Sequence, residues 1–550
     1  MTQSVFLAGD ENWWRQAVVY QVYPRSFKDS DGDGMGDIKG ITSRVDYLAQ
    51  LGIDAIWLSP FYPSALADGG YDVDDYRNVD PKLGTLADFD EMLAAYHSRG
   101  IRVFADVVPN HSSNLHEWFI EALAAEPGSA ARERYIFRDG KGASGELPPN
   151  DWPSHFGPTC WTRTTNPDGT PGQWYLHLFA PEQPDWNWDN PEIVEDFKTT
   201  LRFWSDRGVD GFRIDVAHAL KKDMSEPFMK IIDYDVKRIP LDGTHPLFDR
   251  DDVHEIYKGW RQIFNSYDPP RVAVAEAWVP PERRPAYASE SELGQAFNFD
   301  LLASQWSAKQ FRKSIDFNVK LAQKSDSSST WVLSNHDVVR HATRYGLPKN
   351  TNLDAWIMTD GTSPVLDVQL GNKRARAATM LLLALPGCTY MYQGEELGLL
   401  EVADLQDADL QDPIWIRDGK THKGRDGCRV PLPWEASGSS FGFGAGGAHL
   451  PQPAWFADYA VSAEDGVEGS TLELYRAAIN LRKKLQSEED LTWVKTGDKK
   501  VLHFVRPNGW HCITNFGKKP VALPAGTVRL ASQPLVDGKL AGNSTAWITA

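Results

Sequence analysis

Six consecutive residues, Gly211-Phe212-Arg213-Ile214-Asp215-Val216, give the first chemical signal in the chain. They read as a short buried strand ending in an acid. Side chains alternate faces along a strand, so Arg213 and Asp215 share one face while Phe212 and Ile214 share the other. A guanidinium two residues from a carboxylate on the same face keeps that carboxylate ionised and oriented, which suits a nucleophile. An isolated pair of this kind is equally at home as a structural ion pair at a strand end. Its company tips the balance: three further acids, Asp106, Glu276 and Asp337, fall at or just past the ends of other short apolar runs, with His111 and His336 beside two of them. Each acid alone could cap a helix or sit on the surface, whereas the set reads as a gathered site.

The elements that must position these acids alternate. Strand patterns at 17–22, 55–58, 101–108, 211–215, 271–275, 296–300, 330–333 and 388–392 are interleaved with helical patterns such as 41–51, 86–99 and 191–206. Eight strands alternating with helices predict an α/β fold, a (β/α)8 barrel whose active site lies at the C-terminal ends of the strands. The rhythm breaks at 112–182, a stretch rich in Pro, Gly, Asn and Trp that is too long for a loop and reads as a small inserted domain. The expected organisation is a barrel first part at 1–111, the insertion at 112–182, the rest of the barrel at 183–485 with an irregular insertion at about 400–469, and a C-terminal antiparallel β-domain at 486–550.

Composition narrows the partners. With 75 acids against 57 Lys and Arg the formal charge is −18, which argues against nucleic acid or an anionic membrane as partner. The 21 Trp supply flat rings suited to sugar faces, although most will be packing. Cys160, Cys388, Cys428 and Cys512 are scattered without a Cys-x-x-Cys pair, so neither a zinc site nor a disulfide framework is indicated. No signal peptide is evident at the start, and the longest apolar run, 377–386, is too short to span a bilayer. A cytoplasmic protein is the expectation; the oligomeric state is not readable.

Four ordered motifs resemble those of the α-amylase superfamily, glycoside hydrolase family thirteen: Asp106-Val-Val-Pro-Asn110-His111, Gly211-Phe-Arg213-Ile-Asp215, Glu276 within Ala-Val-Ala-Glu-Ala-Trp, and Asn335-His336-Asp337. The resemblance runs from about residue 13 to 512. It implies a retaining mechanism with Asp215 as nucleophile, Glu276 as general acid/base in an apolar setting near Trp278, and Asp337 gripping sugar hydroxyls, with His111 and His336 hydrogen-bonding the first sugar. Gln183-Pro-Asp-Trp-Asn187 resembles the signature of the oligo-1,6-glucosidase and α-glucosidase branch, with Trp186 where Leu is usual. In that branch Tyr71 would stack on the terminal glucose and Asp68 would pair with Arg429, closing the first subsite and making the enzyme exo-acting. Phe156 and Phe179 match aromatic pocket positions, and Val216 favours α-1,4 over α-1,6 linkages. The expected activity is hydrolysis of α-1,4-linked glucose from maltose, short oligosaccharides or α-glucosides. A glucosyltransferase or isomerase of trehalose synthase type, a sucrose hydrolase and a non-catalytic sugar-binding homologue are the alternatives.

A separate loop, Asp29-Ser-Asp31-Gly-Asp33-Gly34-Met35-Gly36-Asp37, has carboxylates at alternate positions and a Gly at the sixth, as in the first part of an EF-hand loop. Its twelfth position is Gly40 rather than Glu. A structural Ca²⁺ site, which Mg²⁺ could also fill, is expected on Asp29, Asp31, Asp33 and Asp37 with the carbonyl of Met35; a polar turn is the other reading.

Overall fold

The computed structural model describes residues 11–231 and 233–549. Eight parallel strands form one sheet: β1 (Val18–Val22), β2 (Ala55–Leu58), β3 (Arg102–Val107), β7 (Gly211–Ile214), β8 (Val272–Ala275), β9 (Gly294–Ala296), β10 (Thr330–Val332) and β11 (Cys388–Tyr392). Their order, β10-β11-β1-β2-β3-β7-β8-β9, is that of a nearly closed barrel. The seam between β9 and β10 is bridged by a side chain: Thr330 Oγ1 donates to the Ala296 carbonyl at 2.7 Å and accepts from Asn298 N at 3.0 Å.

Strand alternation divides the core. Val19, Trp57, Phe104, Val274 and Tyr390 belong to one buried cluster inside the barrel, whereas their neighbours Val18, Tyr20, Val103 and Ala275 belong to the larger cluster beneath the surrounding helices. The helix Pro191–Arg207 shows how local chemistry sets a strand's start. Asn190 caps its first turn, Pro191 occupies the first helical position, and Gly208 ends it at φ 111°, so the chain re-enters the sheet at Gly211.

The sixth strand corrects the sequence expectation of 296–300. It ends at Ala296, and Phe299–Leu302 is one turn of helix because the Asn298 side chain accepts from Asp300 N and caps it. Between β3 and β7 lies a three-stranded antiparallel sheet of β4 (Phe137–Arg138), β5 (Trp161–Thr165) and β6 (Pro171–Leu176). After the helix Thr471–Leu485 comes a five-stranded antiparallel sheet of β12 (Thr492–Trp493), β13 (Val501–Val505), β14 (His511–Asn515), β15 (Thr527–Ala531) and β16 (Ser544–Thr549). Trp547 fixes this sheet to the barrel by donating its Nε1 to the Met380 carbonyl at 3.0 Å. No helix among the described residues is long and apolar enough to cross a membrane.

Candidate active site

The barrel brings the predicted acids to one end. Asp106 lies in the last turn of pleat of β3, Asp215 follows β7, Glu276 follows β8, and Asp337 stands five residues past β10. Arg213 on β7 is the hub: it pairs with Asp106 Oδ1 at 3.0 Å, Asp215 Oδ1 at 2.5 Å and Glu276 Oε2 at 2.7 Å. Three carboxyls around one buried guanidinium cannot all be ionised cheaply. Burial pushes the Asp106 carboxyl up to about 7 against the pull of Arg213, and burial likewise raises Asp215, with Glu276 and Asp106 adding to the rise and Arg213 opposing it. The cluster therefore retains a proton near neutral pH. The expectation that Arg213 keeps Asp215 ionised meets opposition from burial and from Asp106 and Glu276, which share the same guanidinium.

Glu276 is not in the apolar setting the sequence suggested. Its carboxylate accepts from Trp278 Nε1 at 3.1 Å and from Val216 N at 3.1 Å. The second bond comes from a strained residue. Val216 has φ 44°, which a β-branched residue adopts only under constraint, so strain is stored where its N–H meets Glu276.

A cavity of about 280 Å³ opens over these groups. One end of it is polar. Asp337 accepts from Arg425 Nη1 and Arg429 Nη2, both at 3.1 Å, and lies 3.4 Å from His336 Nε2. Burial would raise Asp337, yet His336, Arg425, Arg429 and Arg213 together hold it below the usual carboxylate range. Burial lowers both His111 and His336 to about 3, so both imidazoles are neutral. Tyr71 lies flat on His336, centroids 5.2 Å apart and planes 3° from parallel, and its hydroxyl donates to Asp106 Oδ2 at 3.1 Å. Phe156 and Phe179 line the same cavity, 5.6 Å apart, along with Asp68 and Val216. Gln183 is behind the wall, its amide 3.2 Å from Asp68 Oδ2 and 3.0 Å from His111 Nε2.

Asp68 does not pair with Arg429. Its partner is Arg425, whose Nη2 donates to Asp68 Oδ1 at 2.6 Å while its Nε is anchored by Asp412 Oδ2 at 2.6 Å. Arg429, on the far side of the short turn Asp426–Cys428, is committed to the His336 carbonyl at 2.9 Å and to Asp337. The sequence holds both arginines in one segment, and spacing alone does not say which reaches Asp68. The other end of the cavity, formed by Tyr234, Val236, Ile239, Phe248 and Trp278 with His155 and His218, was not anticipated as lining. Its signal is faint: alternating apolar and charged residues at 234–239 around a single 3₁₀ turn, Val236–Arg238.

In the acidic loop, Asp29, Asp31 and Asp37 each offer an oxygen, all within 4.8 Å of one another. Asp33 is outside that group and accepts from Met35 N at 2.8 Å. Asp37 also caps the helix Ile38–Ser43 by accepting from Gly40 N.

The α-amylase catalytic-domain family model matches residues 21–489. A probable α-glucosidase of Rhizobium meliloti (strain 1021) is 36% identical over 92% of this chain and 89% of its own. The trehalose-6-phosphate hydrolase of Escherichia coli (strain K12) is 34% identical over 97% and 94%. Among solved structures, the α-glucosyl transfer enzyme XgtA superposes with a TM-score of 0.80 at 33% identity, covering 98% of this chain and 99% of that one. The trehalulose synthase MutB from Pseudomonas mesoacidophila MX-45 does so with a TM-score of 0.83 at 30% identity, covering 98% and 99%. With its four acids at the mouth of an eight-stranded barrel and these relatives along its length, the chain belongs to the α-amylase family and is a glycoside hydrolase.

Proposed function

We propose that the protein is an exo-acting α-glucosidase that releases glucose from the non-reducing end of maltose, short α-1,4 oligosaccharides and other α-glucosides. The observation that carries this reading is Arg425 spanning Asp68 and Asp337. An ion-pair bridge at the polar end of the cavity would stop a chain from continuing past one terminal glucose, which supports exo action. The retaining mechanism is general in this family, and the chain's residues fill its parts. Asp215 attacks the anomeric carbon as Glu276 gives its proton to the departing oxygen. The resulting glucosyl ester is then cleaved by water that Glu276, now a carboxylate, deprotonates. Asp337, His111 and His336 hold the sugar's hydroxyls, and Arg213 and Asp106 keep the reacting carboxyls in place.

The same intermediate can pass to a sugar or alcohol in place of water, and the likeness to XgtA favours that second outcome enough to test it directly. Incubation with maltose, isomaltose, trehalose and sucrose, following glucose and new disaccharides, decides the matter. Maltose cleaved mainly to glucose supports hydrolysis. Maltose converted mainly to another disaccharide, or no turnover of any sugar, overturns it.

Asp29, Asp31 and Asp37 suit a hard divalent cation such as Ca²⁺, with Mg²⁺ the alternative. Its role would be to hold the loop, remote from the reaction. The four cysteines are free and buried, which accords with a cytoplasmic location.

A further inference from the structure

A second cavity, of about 140 Å³, shares no lining residue with the substrate cavity. It lies between the helix His341–Gly346, the chain that follows Phe299–Leu302, and the helix Val368–Ala384. Arg344, Lys349 and Arg374 line it, and among the described residues no acid does. On a chain of formal charge −18 this is a local reversal of sign. Nor are the two guanidiniums spent on carboxylates elsewhere. Arg344 Nε donates to the Val339 carbonyl at 2.9 Å, and its other nitrogens donate to the Leu302 and Leu333 carbonyls. Arg374 donates to the Tyr345 carbonyl at 2.7 Å and to Asn543 Oδ1 at 3.1 Å. Each of these acceptors is neutral. Asp367 attracts Arg374, but its carboxylate is engaged in capping the helix, where it accepts from Leu370 N at 3.0 Å.

Tyr345 supplies an independent signal. It lines the same cavity, is 2% exposed, and its hydroxyl has no hydrogen-bond partner among the described residues. A buried hydroxyl left unsatisfied is costly, and folded proteins rarely leave one so. Water would satisfy the hydroxyl but would leave the positive charge unopposed. A sugar fits poorly. The space is half that of the substrate cavity, 140 against 280 Å³, and the rings beside it are already covered: Trp306 packs on Phe516 at 4.2 Å and on Tyr345 at 5.8 Å. A tetrahedral oxyanion suits both size and charge, because its several acceptor oxygens can take a guanidinium fork, an ammonium and a hydroxyl together.

We propose that this cavity binds a small oxyanion of the phosphate class, held by Arg344, Arg374, Lys349 and the Tyr345 hydroxyl. Inorganic phosphate is titrated into the purified full-length protein by isothermal titration calorimetry, with chloride at equal ionic strength as the reference. Phosphate is expected to bind and to raise the Tm above that reference. Tyr345→Phe removes only the partnerless hydroxyl and is expected to weaken binding at least about tenfold. Lys349→Gln, at an exposed position, is expected to weaken it about two- to fivefold. Glucose 6-phosphate, titrated in parallel, separates the sources of the group. Tighter binding than phosphate, with the same loss in Tyr345→Phe, means that the anion arrives on a sugar; weaker binding means that it arrives free. Phosphate held here leaves the KM for maltose unchanged. The wild-type arms need no variant to fold. A titration indistinguishable from chloride, or binding that both variants leave untouched, overturns the proposal. Competition with maltose overturns it as well, because it places the ion in the substrate cavity.

Discussion

At the scale of single residues, Arg213 touches three carboxyls and so cannot by itself decide which one attacks carbon and which donates a proton. Both stand one residue past a strand and line the cavity; the family's motif order decides, with Asp215 of the second motif attacking and Glu276 of the third, held by Trp278 Nε1 and the Val216 N–H, acting as the acid. Replacing Asp215 with Asn is therefore expected to cut kcat at least about 10⁴-fold, as loss of a covalent nucleophile does, checked on maltose and on an aryl glucoside. Glu276→Gln is expected to lose about 10²–10⁴-fold on alkyl glucosides, with azide restoring turnover of 4-nitrophenyl α-glucoside as the glucosyl azide, because azide needs no base. Absence of azide rescue would move the acid/base role elsewhere. Arg425→Ala removes one side of the bridge to Asp68, Asp337 and Asp412, and breaking a buried charge pair of this kind costs about 2–5 kcal/mol. At least a tenfold fall in kcat/KM for maltose is expected, together with a smaller penalty for substrates extended beyond the terminal glucose. The four motifs made Asp106, Asp215, Glu276 and Asp337 legible in the sequence because each is fixed by its strand end. The Asp68 partner was not legible: Arg425 and Arg429 are four residues apart, and only the turn between them determines which guanidinium faces which acid.

At the scale of elements, the long parallel strands and their helices could be read from periodicity, whereas the sixth strand was displaced by one capping side chain, Asn298. The apolar wall at 234–239 stayed hidden because its one regular element is a single 3₁₀ turn, Val236–Arg238, too short to give a periodic pattern; its inward face exists only where it meets Trp152 and Pro153 of the insertion. A second irregular stretch, the glycine-rich 441–447, has a clear reason once folded. It straps over the acidic loop, with Asp29 N donating to the Phe443 carbonyl at 3.0 Å and Lys28 Nζ reaching the same carbonyl at 2.7 Å. A Cβ at Gly446 would lie 1.7 Å from the Gly32 carbonyl oxygen, and one at Gly444 would lie 2.0 Å from Asp29 Oδ2. Gly446→Ala must push strap and loop apart, an overpacking cost of about 1–3 kcal/mol, seen as a lowered Tm. If the loop holds Ca²⁺, adding it after EDTA raises the Tm of the wild type, and Asp29→Asn abolishes that rise. An unchanged Tm across the Ca²⁺ titration would leave the loop a polar turn held by its own backbone bonds.

At the scale of the whole molecule, sequence shows 75 acids and a charge of −18 but not which acids are buried, and the buried ones govern stability. Burial raises Glu395 to about 8 and Glu401 and Glu464 to about 7, groups that the reaction does not use. In the unfolded chain a Glu loses its proton near about 4.3, so above that pH the folded state holds protons that the unfolded state has released. The stability these groups contribute is complete at low pH and lost as pH rises through about 7 to 8. Buried histidines act in the opposite sense. Burial lowers His111, His218, His336 and His341 to about 3, so their contribution is complete above the unfolded value near about 6.5 and is lost as pH falls below it. The two sets compete below about 6.5. Above it the histidines are neutral in both states, only the acids still titrate, and growing self-repulsion of an already anionic chain adds to their effect. Tm measured by calorimetry is therefore expected to fall by several degrees between pH 6.5 and 7.5, below the range near about 8.5 and above in which unfolded cysteine and lysine titrate. Glu395→Gln keeps the acceptor for Tyr392 N, now 3.1 Å from Glu395 Oε1, while removing the titration, and it should flatten that fall. A Tm that rises over this interval, or a slope that Glu395→Gln leaves untouched, would mean that Glu395 is already ionised in the folded protein.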